Sequence, residues 1–185
     1  RDYGYLGWVS ARRDLDRLPK EAPNNNNDRA CTELSQAKNY LVLLNPEAFS
    51  SKESYIASLA ASNYDLLIID AYYGDSMLTP QDVARLQYKP GGSRRLVASY
   101  MSVGEAEDYR PYWQPKWKTN PPDWMWIANG DWEGNYRVRY WSKDWKKMLM
   151  GSPQSYLDQI LAAGFDGAFL DVIDVFYAFE DIANQ

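Results

Sequence analysis

The 185-residue sequence contains no histidine and a single cysteine, Cys31. Catalytic triads and dyads that use a histidine base therefore cannot be built from this chain, and neither can the usual Cys/His zinc sites. Proton transfer falls to Asp, Glu, Tyr, Lys or Cys side chains. Cys31 cannot form a disulfide within the chain and lies in a polar stretch, so we assign it no function. We expect carboxylate chemistry without a metal.

The sequence also lacks a run of eighteen or more apolar residues and an excess of basic charge. We therefore expect no membrane span. The 20 basic and 25 acidic side chains give a formal net charge of −5, which disfavours a nucleic-acid partner because such a partner requires a basic surface. A neutral or cationic ligand fits better, although an acidic balance is also ordinary for a soluble enzyme. The N-terminus has neither an initiator Met nor an apolar signal core, which indicates a processed protein or an excised segment.

What the sequence does contain is an alternation of apolar runs and helix signals. Four runs, at 39–45, 64–71, 95–103 and 165–171, are predicted to be strands, and the first of them has the continuous apolar pattern of a strand buried on both faces. A capping box at Ser50 to Glu53 and the pair Thr79-Pro80 mark helix starts between them. With 45% hydrophobic residues, the pattern predicts a parallel α/β sheet, either open or part of a closed barrel. No glycine-rich phosphate loop follows any strand, so we expect no cofactor.

Three segments differ from this alternation. Residues 1–18 include a short apolar strand at 3–10 and then a charged turn or helix start. Residues 19–38 are rich in Pro and Asn, and have too little apolar surface to offset their ordering entropy, so they are predicted to be a linker or loop. Residues 105–141 hold six of the eight tryptophans, and we interpret them as a long aromatic-rich loop.

An acid stands at the end of three of the four predicted strands: Asp70, Glu105 and Asp171. In a parallel α/β protein the active site lies at the carboxyl ends of the strands, where these acids would converge. A single acid of this kind is more often a helix cap or a turn residue, but three favour a site. Asp171 follows the apolar triplet 168–170 and is expected at the rim of the core. Asp174 is either a further acid of the site or the cap of the next helix.

The aromatic-rich loop and its surroundings supply side chains that are suited to a sugar ligand. Flat rings can meet sugar faces, while hydroxyl, amide and guanidinium groups bond to sugar substituents. The predicted substrate-binding residues are Tyr72, Tyr109, Arg110, Trp113, Trp132, Asn135, Tyr140, Trp141 and Asp174. Two carboxylates beside an aromatic-lined cleft are the working parts of a glycosidase. Part of the aromatic set would serve only as packing, and similar clefts occur in binding proteins that catalyse nothing.

Four segments together resemble a known family: YDLLIIDAYYGD, LVASYMSVGEAEDYRPYW, GDWEGNYRVRYW and GFDGAFLDVIDVFYAFED. They are similar to the barrel of glycoside-hydrolase family 114, the endo-α-1,4-polygalactosaminidase family, from about Asn39 to the end of the chain. The likeness is strongest to members that are often labelled as related to cysteinyl-tRNA synthetase. That label does not carry over, because the nucleotide-binding signature of the synthetase requires paired histidines and this chain has none.

The resemblance implies a parallel (β/α) TIM-type barrel, which typically needs about 250 residues and is therefore expected to be incomplete in this chain. Residues 39–185 correspond to the first four β/α units, and residues 1–18 resemble the last strand, displaced to the start. The family match makes Asp171 one catalytic carboxylate, with its partner acid on a later strand outside this sequence. It places Asp70, Glu105 and Arg110 around the same mouth.

Two functions follow from these expectations. The first is a glycoside hydrolase that acts on an amino-sugar, galactosamine-type polysaccharide through paired carboxylates, with Asp171 assisted by Glu105 or Asp70. An acidic surface suits such a polycationic chain. The alternative is a carbohydrate-binding barrel without turnover, or an inactive barrel fragment. We expect a polysaccharide or oligosaccharide partner and a secreted or cell-envelope location, whereas the sugar, the linkage, the stereochemistry and the oligomeric state stay open.

Overall fold

The computed structural model describes residue 6, residue 10 and residues 12–183. The strand predicted at 3–10 lies outside the described residues, apart from its two single positions. The chain divides into two compact units, one formed by residues 1–100 and 160–169 and the other by residues 101–159 and 170–185.

The strands and α-helices follow one another along the chain. They are β1 (Tyr40–Leu43), α1 (Lys52–Ala60), β2 (Leu66–Ile69), β3 (Tyr72–Tyr73), β4 (Ser76–Met77), α2 (Pro80–Leu86), β5 (Leu96–Ser102), β6 (Glu105–Glu107), β7 (Met125–Ala128), β8 (Asn135–Val138), α3 (Lys143–Leu149), α4 (Tyr156–Ala162), β9 (Gly167–Asp171) and α5 (Phe176–Ala183). Every helix among the described residues is too short or too polar to cross a membrane.

The first unit is built on a sheet of four strands in the order β1-β2-β5-β9. Parallel pairing brings Tyr40 opposite Leu66 and Leu66 opposite Leu96. The prediction that the four apolar runs are neighbouring parallel strands is therefore confirmed. All four residues of β2 are buried, as expected for a central strand that is covered on both faces. Each fully buried Leu or Ile in such a core contributes about 1.5–3 kcal/mol.

Helices α1 and α2 each begin at a residue whose side chain caps the first turn. Thr79 and Asp82 form a reciprocal capping box at α2, and Pro80 occupies the first turn, as the sequence predicts. Helix α1 begins one residue later than predicted, because Ser51 rather than Ser50 accepts the N–H of Ser54, at 3.1 Å.

The Pro- and Asn-rich segment at 19–38 is a loop with one short 3-10 helix. Its asparagines are nevertheless fixed by distant side chains. Asn27 Nδ2 donates to Asp65 at 3.2 Å, and Lys89 Nζ donates to the carbonyl of Asn27 at 3.0 Å. Lys89 and Asp65 form an ion pair of 2.5 Å whose side chains are 0% and 2% exposed. The composition of the segment could not predict these bonds, because the partners Asp65 and Lys89 lie in other parts of the chain.

The second unit contains an antiparallel sheet in the order β6-β8-β7. All three strands fall in the segment 105–141, so the interpretation of that segment as a loop throughout is wrong. Its strands are three or four residues long and are separated by Pro, Asn and Gly, which is too short for alternation to be recognised. Gly134 at φ +83° lies in the β7–β8 connection, where a left-handed residue is needed.

Two aromatic residues of this segment, Trp117 and Trp124, are buried and form an aromatic core with Trp145 from helix α3. Trp145 is fully buried and donates its indole N–H to the carbonyl of Val103 at 2.9 Å. The ring of Trp124 lies 5.0 Å from Trp145, and the ring of Trp117 lies 5.1 Å from Trp124, edge to face. Tyr112 meets Trp145 edge-on at 5.8 Å. These separations are those of stabilising aromatic pairs, which agrees with the expectation that part of the set is packing.

Candidate active site

Asp171 is the last residue of β9 and is half-buried. Its backbone carbonyl accepts the N–H of Val103 at 3.1 Å, so the strand end is fixed to the residue that follows β5. Phe169 and Leu170 of this strand are 42% and 50% exposed, so β9 is not covered on both faces as the central strand β2 is.

The chain turns sharply directly after Asp171. Val172 is left-handed, with φ 57° and ψ 35°, a conformation that β-branched residues rarely adopt and that costs on the order of 1–3 kcal/mol. The turn begins a 3-10 helix, Ile173–Val175, on which Asp174 is exposed. Gly104 packs against this turn, and a Cβ at Gly104 would overlap the carbonyl oxygen of Val172. The position before Glu105 therefore has to be glycine.

Glu105 begins β6 and is 3% exposed. One oxygen of its carboxylate accepts the side-chain amide of Asn129 at 2.7 Å, and the other accepts that of Asn135 at 3.1 Å. Asn135 was predicted to bind substrate, and here it holds Glu105. With both oxygens engaged and little exposure, Glu105 is a poorer candidate for proton transfer than Asp171.

Glu107, two residues further along β6, is a site residue that sequence reasoning missed. It is 1% exposed and accepts the guanidinium Nε of Arg110 at 2.6 Å. Its other oxygen accepts the hydroxyl of Tyr109 at 2.7 Å, and its N–H donates to the hydroxyl of Tyr112 at 3.0 Å. Burial raises the pKa of Tyr112 well above its usual value, with the charge of Glu107 adding to the rise, so that Tyr112 stays protonated. The available signal was the pair of opposite charges three residues apart, which a tight turn brings together: the N–H of Arg110 donates to the carbonyl of Glu107 at 3.1 Å.

Arg110 thus contributes to the site through Tyr109 rather than through an exposed charge. Its guanidinium lies 5.0 Å from the centre of the Tyr109 ring, within the range of a cation–π contact. Tyr109 itself is 59% exposed and Trp132 is 53% exposed. These two rings have the largest exposed fractions among the predicted aromatic binding residues of the second unit.

The other predicted aromatic residues of this unit have packing partners. Trp113 is half-buried and stacks on Tyr136 at 4.9 Å with an interplanar angle of 26°. Tyr140 and Trp141 meet edge to face at 5.0 Å, and Trp141 lies 4.8 Å from Phe179 of α5. Although Tyr140 and Trp141 are 41% and 50% exposed, part of each ring supports the last helix.

Asp70 and Tyr72 belong to the first unit. Asp70 follows β2 and is half-buried, and its carboxylate accepts the N–H of Tyr72 at 2.9 Å, the bond of a common Asx turn. Tyr72 is 9% exposed and pairs with Met77 across the β3–β4 hairpin. The expectation that Asp70 converges with Glu105 and Asp171 stays a prediction.

Sequence and structure comparisons give relatives over most of the chain. Residues 32–185 match glycoside-hydrolase family GH114. The uncharacterized protein MJ1477 of Methanocaldococcus jannaschii is 35% identical over 177 residues, which cover 93% of this chain and 48% of that protein. An uncharacterized protein of Thermotoga maritima is 35% identical over 124 residues, which cover 64% of this chain and 35% of that protein.

The crystal structure of Aspergillus fumigatus Ega3 in complex with galactosamine matches with a TM-score of 0.50 and 20% identity, covering 75% of this chain and 45% of that chain. This likeness confirms the fold class, a parallel (β/α) TIM-type barrel that is incomplete in this chain. The chain spans about half or less of the length of these relatives.

Proposed function

We propose, from the premise that this chain belongs to glycoside-hydrolase family GH114, that it takes part in hydrolysing a galactosamine-type polysaccharide. The observation that carries the proposal is the position of Asp171, at a strand end, half-buried, and next to a strained turn. Strained backbone persists where surrounding structure enforces it, and it clusters at functional sites. The galactosamine bound to the Ega3 structure favours an amino sugar as the ligand class.

Asp171 would act as one of the two carboxylates that glycoside hydrolysis requires, either as the acid/base or as the nucleophile. Glu105 would serve as a positioning group, since both of its oxygens are held by amides. Asp70 keeps its predicted assisting role. The distance from Asp171 to the partner carboxyl would indicate the stereochemistry, with about 5–5.5 Å for retention and about 6.5–9.5 Å for inversion.

The exposed rings of Tyr109 and Trp132 would provide the sugar platform. Tyr109 is the better fixed of the two, because its hydroxyl is bonded to the buried Glu107. The net charge of −5 would raise the local concentration of a polycationic chain. Because a charged polysaccharide does not cross a bilayer, the protein would meet this substrate outside the cytoplasm. We therefore propose that it is secreted or belongs to the cell envelope.

Carbohydrate binding without turnover is the second candidate function. It is favoured by the hydrogen bonds of Glu105: both carboxylate oxygens accept side-chain amides, so that Glu105 is poorly suited to be the second catalytic carboxylate beside Asp171. The exposed aromatic rings would suit either function.

The test is Asp171→Asn in the natural-length protein, with α-1,4-linked galactosamine oligomers as substrate. Release of reducing ends should fall by about 10²–10⁴-fold, because the change removes the group that transfers protons or attacks the sugar while conserving its shape. Oligomer affinity, measured by calorimetry, should stay within about threefold, since the binding rings are untouched.

Asp144→Asn is the matched control, because Asp144 is an exposed carboxylate in the first turn of α3. It should leave both activity and affinity unchanged. Full turnover by Asp171→Asn would refute the catalytic assignment, and binding without turnover by the unmodified protein would favour the second candidate.

A further inference from the structure

Two features meet at the end of β9, a left-handed valine and a glycine that packs against it. Val172 adopts a left-handed conformation that disfavours valine, and it does so in the position directly after Asp171. Asn or Gly would adopt the same conformation at lower cost. Because valine raises the backbone energy at this position, its branched side chain is expected to have a role there.

Gly104 supplies the other half of the arrangement. A Cβ at Gly104 would overlap the carbonyl oxygen of Val172 and would lie 2.9 Å from Val172 Cγ1 and 2.8 Å from Val175 Cβ. The branched side chain and the carbonyl of Val172 therefore sit directly on the bare Cα of Gly104. Gly104 is itself held in place, because its carbonyl accepts the N–H of Val138 on β8 at 3.0 Å.

Asp171 lies between two restraints as a result. On its strand side, its own carbonyl accepts the N–H of Val103 at 3.1 Å. On its other side, the peptide that joins it to Val172 leads into the left-handed turn seated on Gly104. The backbone that carries the Asp171 carboxyl is thus fixed from both directions, as a group that must be located to within about 0.5 Å requires.

We propose that Gly104 and Val172 form a clamp that positions the Asp171 carboxyl, and that both are positioning residues for the reaction. This inference rests on the proposed function, since it assigns the clamp to the same carboxyl. Gly104 provides the empty space, and Val172 provides the branched side chain that occupies it. Neither residue touches the sugar.

The main test is Gly104→Ala in the natural-length protein. The added methyl group must displace the Val172 carbonyl, so kcat on galactosamine oligomers should fall by about a hundredfold, the cost of a misplacement of roughly 1 Å. KM should stay within about threefold, because the binding rings are unaffected. Gly130→Ala is the control, since a Cβ at Gly130 meets nothing within 4 Å, and it should behave like the unmodified protein.

Val172→Gly is the second variant, and it keeps the test decisive if Gly104→Ala fails to fold. Glycine adopts the left-handed conformation without strain, so the melting temperature should not fall. The lost branched side chain frees the peptide after Asp171, and kcat should fall by about tenfold. Leu15→Gly, at another left-handed residue with φ 50°, is the control for strain relief and should keep full kcat.

A double-mutant cycle separates positioning from general damage. If the clamp acts through Asp171, then Gly104→Ala and Val172→Gly should cost less than about threefold in an Asp171→Asn background, because effects that share one target are not additive. Equal losses in both backgrounds, or unchanged kcat in Val172→Gly, would overturn the proposal.

Crystal structures of the unmodified protein and of either folded variant give a readout that does not need turnover. The Asp171 carboxyl should move by more than about 0.5 Å or lose its order, and a carboxyl that stays in place would refute the clamp. Should the unmodified protein hydrolyse no amino-sugar polymer, the proposed function fails, and this structural comparison alone decides whether Gly104 and Val172 position Asp171.

Discussion

Each of the two units buries an ion pair. The pair of the first unit is bonded to a loop backbone, whereas the pair of the second unit is bonded to an exposed tyrosine. In the first unit, Lys89 and Asp65 are 0% and 2% exposed, and Lys89 Nζ also donates to the carbonyls of Asn27 and Arg29 at 3.0 Å each. Every one of these bonds ends on the backbone or on another buried group. The pair therefore fixes the course of a loop, and its contribution is to stability.

In the second unit, Arg110 and Glu107 are 3% and 1% exposed at their side chains. Here the remaining carboxylate oxygen bonds to Tyr109, a residue that is 59% exposed. Under the proposed function, this buried charge fixes an exposed ring for a ligand. The comparison shows that buried ion pairs alone do not distinguish the two roles, and that the exposure of the group bonded to the pair is the difference between them.

Removing Lys89 should give the largest effect on stability and the smallest on binding. Lys89→Met leaves the Asp65 carboxylate buried without its cation, which should lower the free energy of unfolding by about 3–5 kcal/mol. The measurement is urea denaturation followed by tryptophan fluorescence. The affinity of the folded molecules for galactosamine oligomers should be unchanged. If Lys89→Met lowered this affinity as well, the two ion pairs would not have the different roles assigned to them.

Glu107→Gln should lower both quantities. Glutamine cannot balance the Arg110 charge, and it can accept only one of the two bonds that Glu107 accepts, so unfolding should become easier by about 1.5–3 kcal/mol. Tyr109 loses its fixed position, and affinity for galactosamine oligomers should fall by about tenfold in calorimetry. Glu133→Gln, at an exposed carboxylate of the same segment, is the control that should change neither quantity.

Tyr109→Phe should have the smallest effect. It removes the hydroxyl that bonds to Glu107 and keeps the ring, so stability should change by at most about 1 kcal/mol. Affinity should fall by about threefold, because the ring must then be ordered on binding. Tyr177→Phe, at a tyrosine that is 60% exposed on α5, is the matched control. Equal losses in the two variants would remove Tyr109 from the platform.

The sheet was the most predictable part of the molecule. Its strands are continuous apolar runs, a signal that local sequence carries in full, and the strand-end positions of Asp70 and Asp171 follow directly from it. Glu105 was also expected at a strand end, but it begins the short strand β6 instead. The α2 start was equally local, since Thr79 and Asp82 satisfy each other within one turn. The extent of burial was less predictable than the strands themselves, because the cover on each face depends on the elements that pack there. Strand β1 alternates between half-buried and buried residues, and Phe169 on β9 is 42% exposed.

The site was less predictable because its partners are far apart in sequence. The amides that hold Glu105 come from Asn129 and Asn135, 24 and 30 residues away, and composition cannot pair them. The left-handed Val172 could not be foreseen either, since the residue type favours the opposite conformation. Aromatic density suggested a sugar-binding surface, which stays a prediction, and it could not separate the exposed Trp132 from the buried Trp124.

The outer position of β9 goes together with the incompleteness of the barrel in this chain. In a closed barrel every strand has two neighbours, so that no strand edge is left for another chain to pair with. Here β9 is the last strand of the sheet that the described residues form, and Phe169 and Leu170 are 42% and 50% exposed. A preparation of these 185 residues alone would present that apolar edge and should self-associate. The natural-length protein is therefore the form in which the chemistry of Asp171 can be measured.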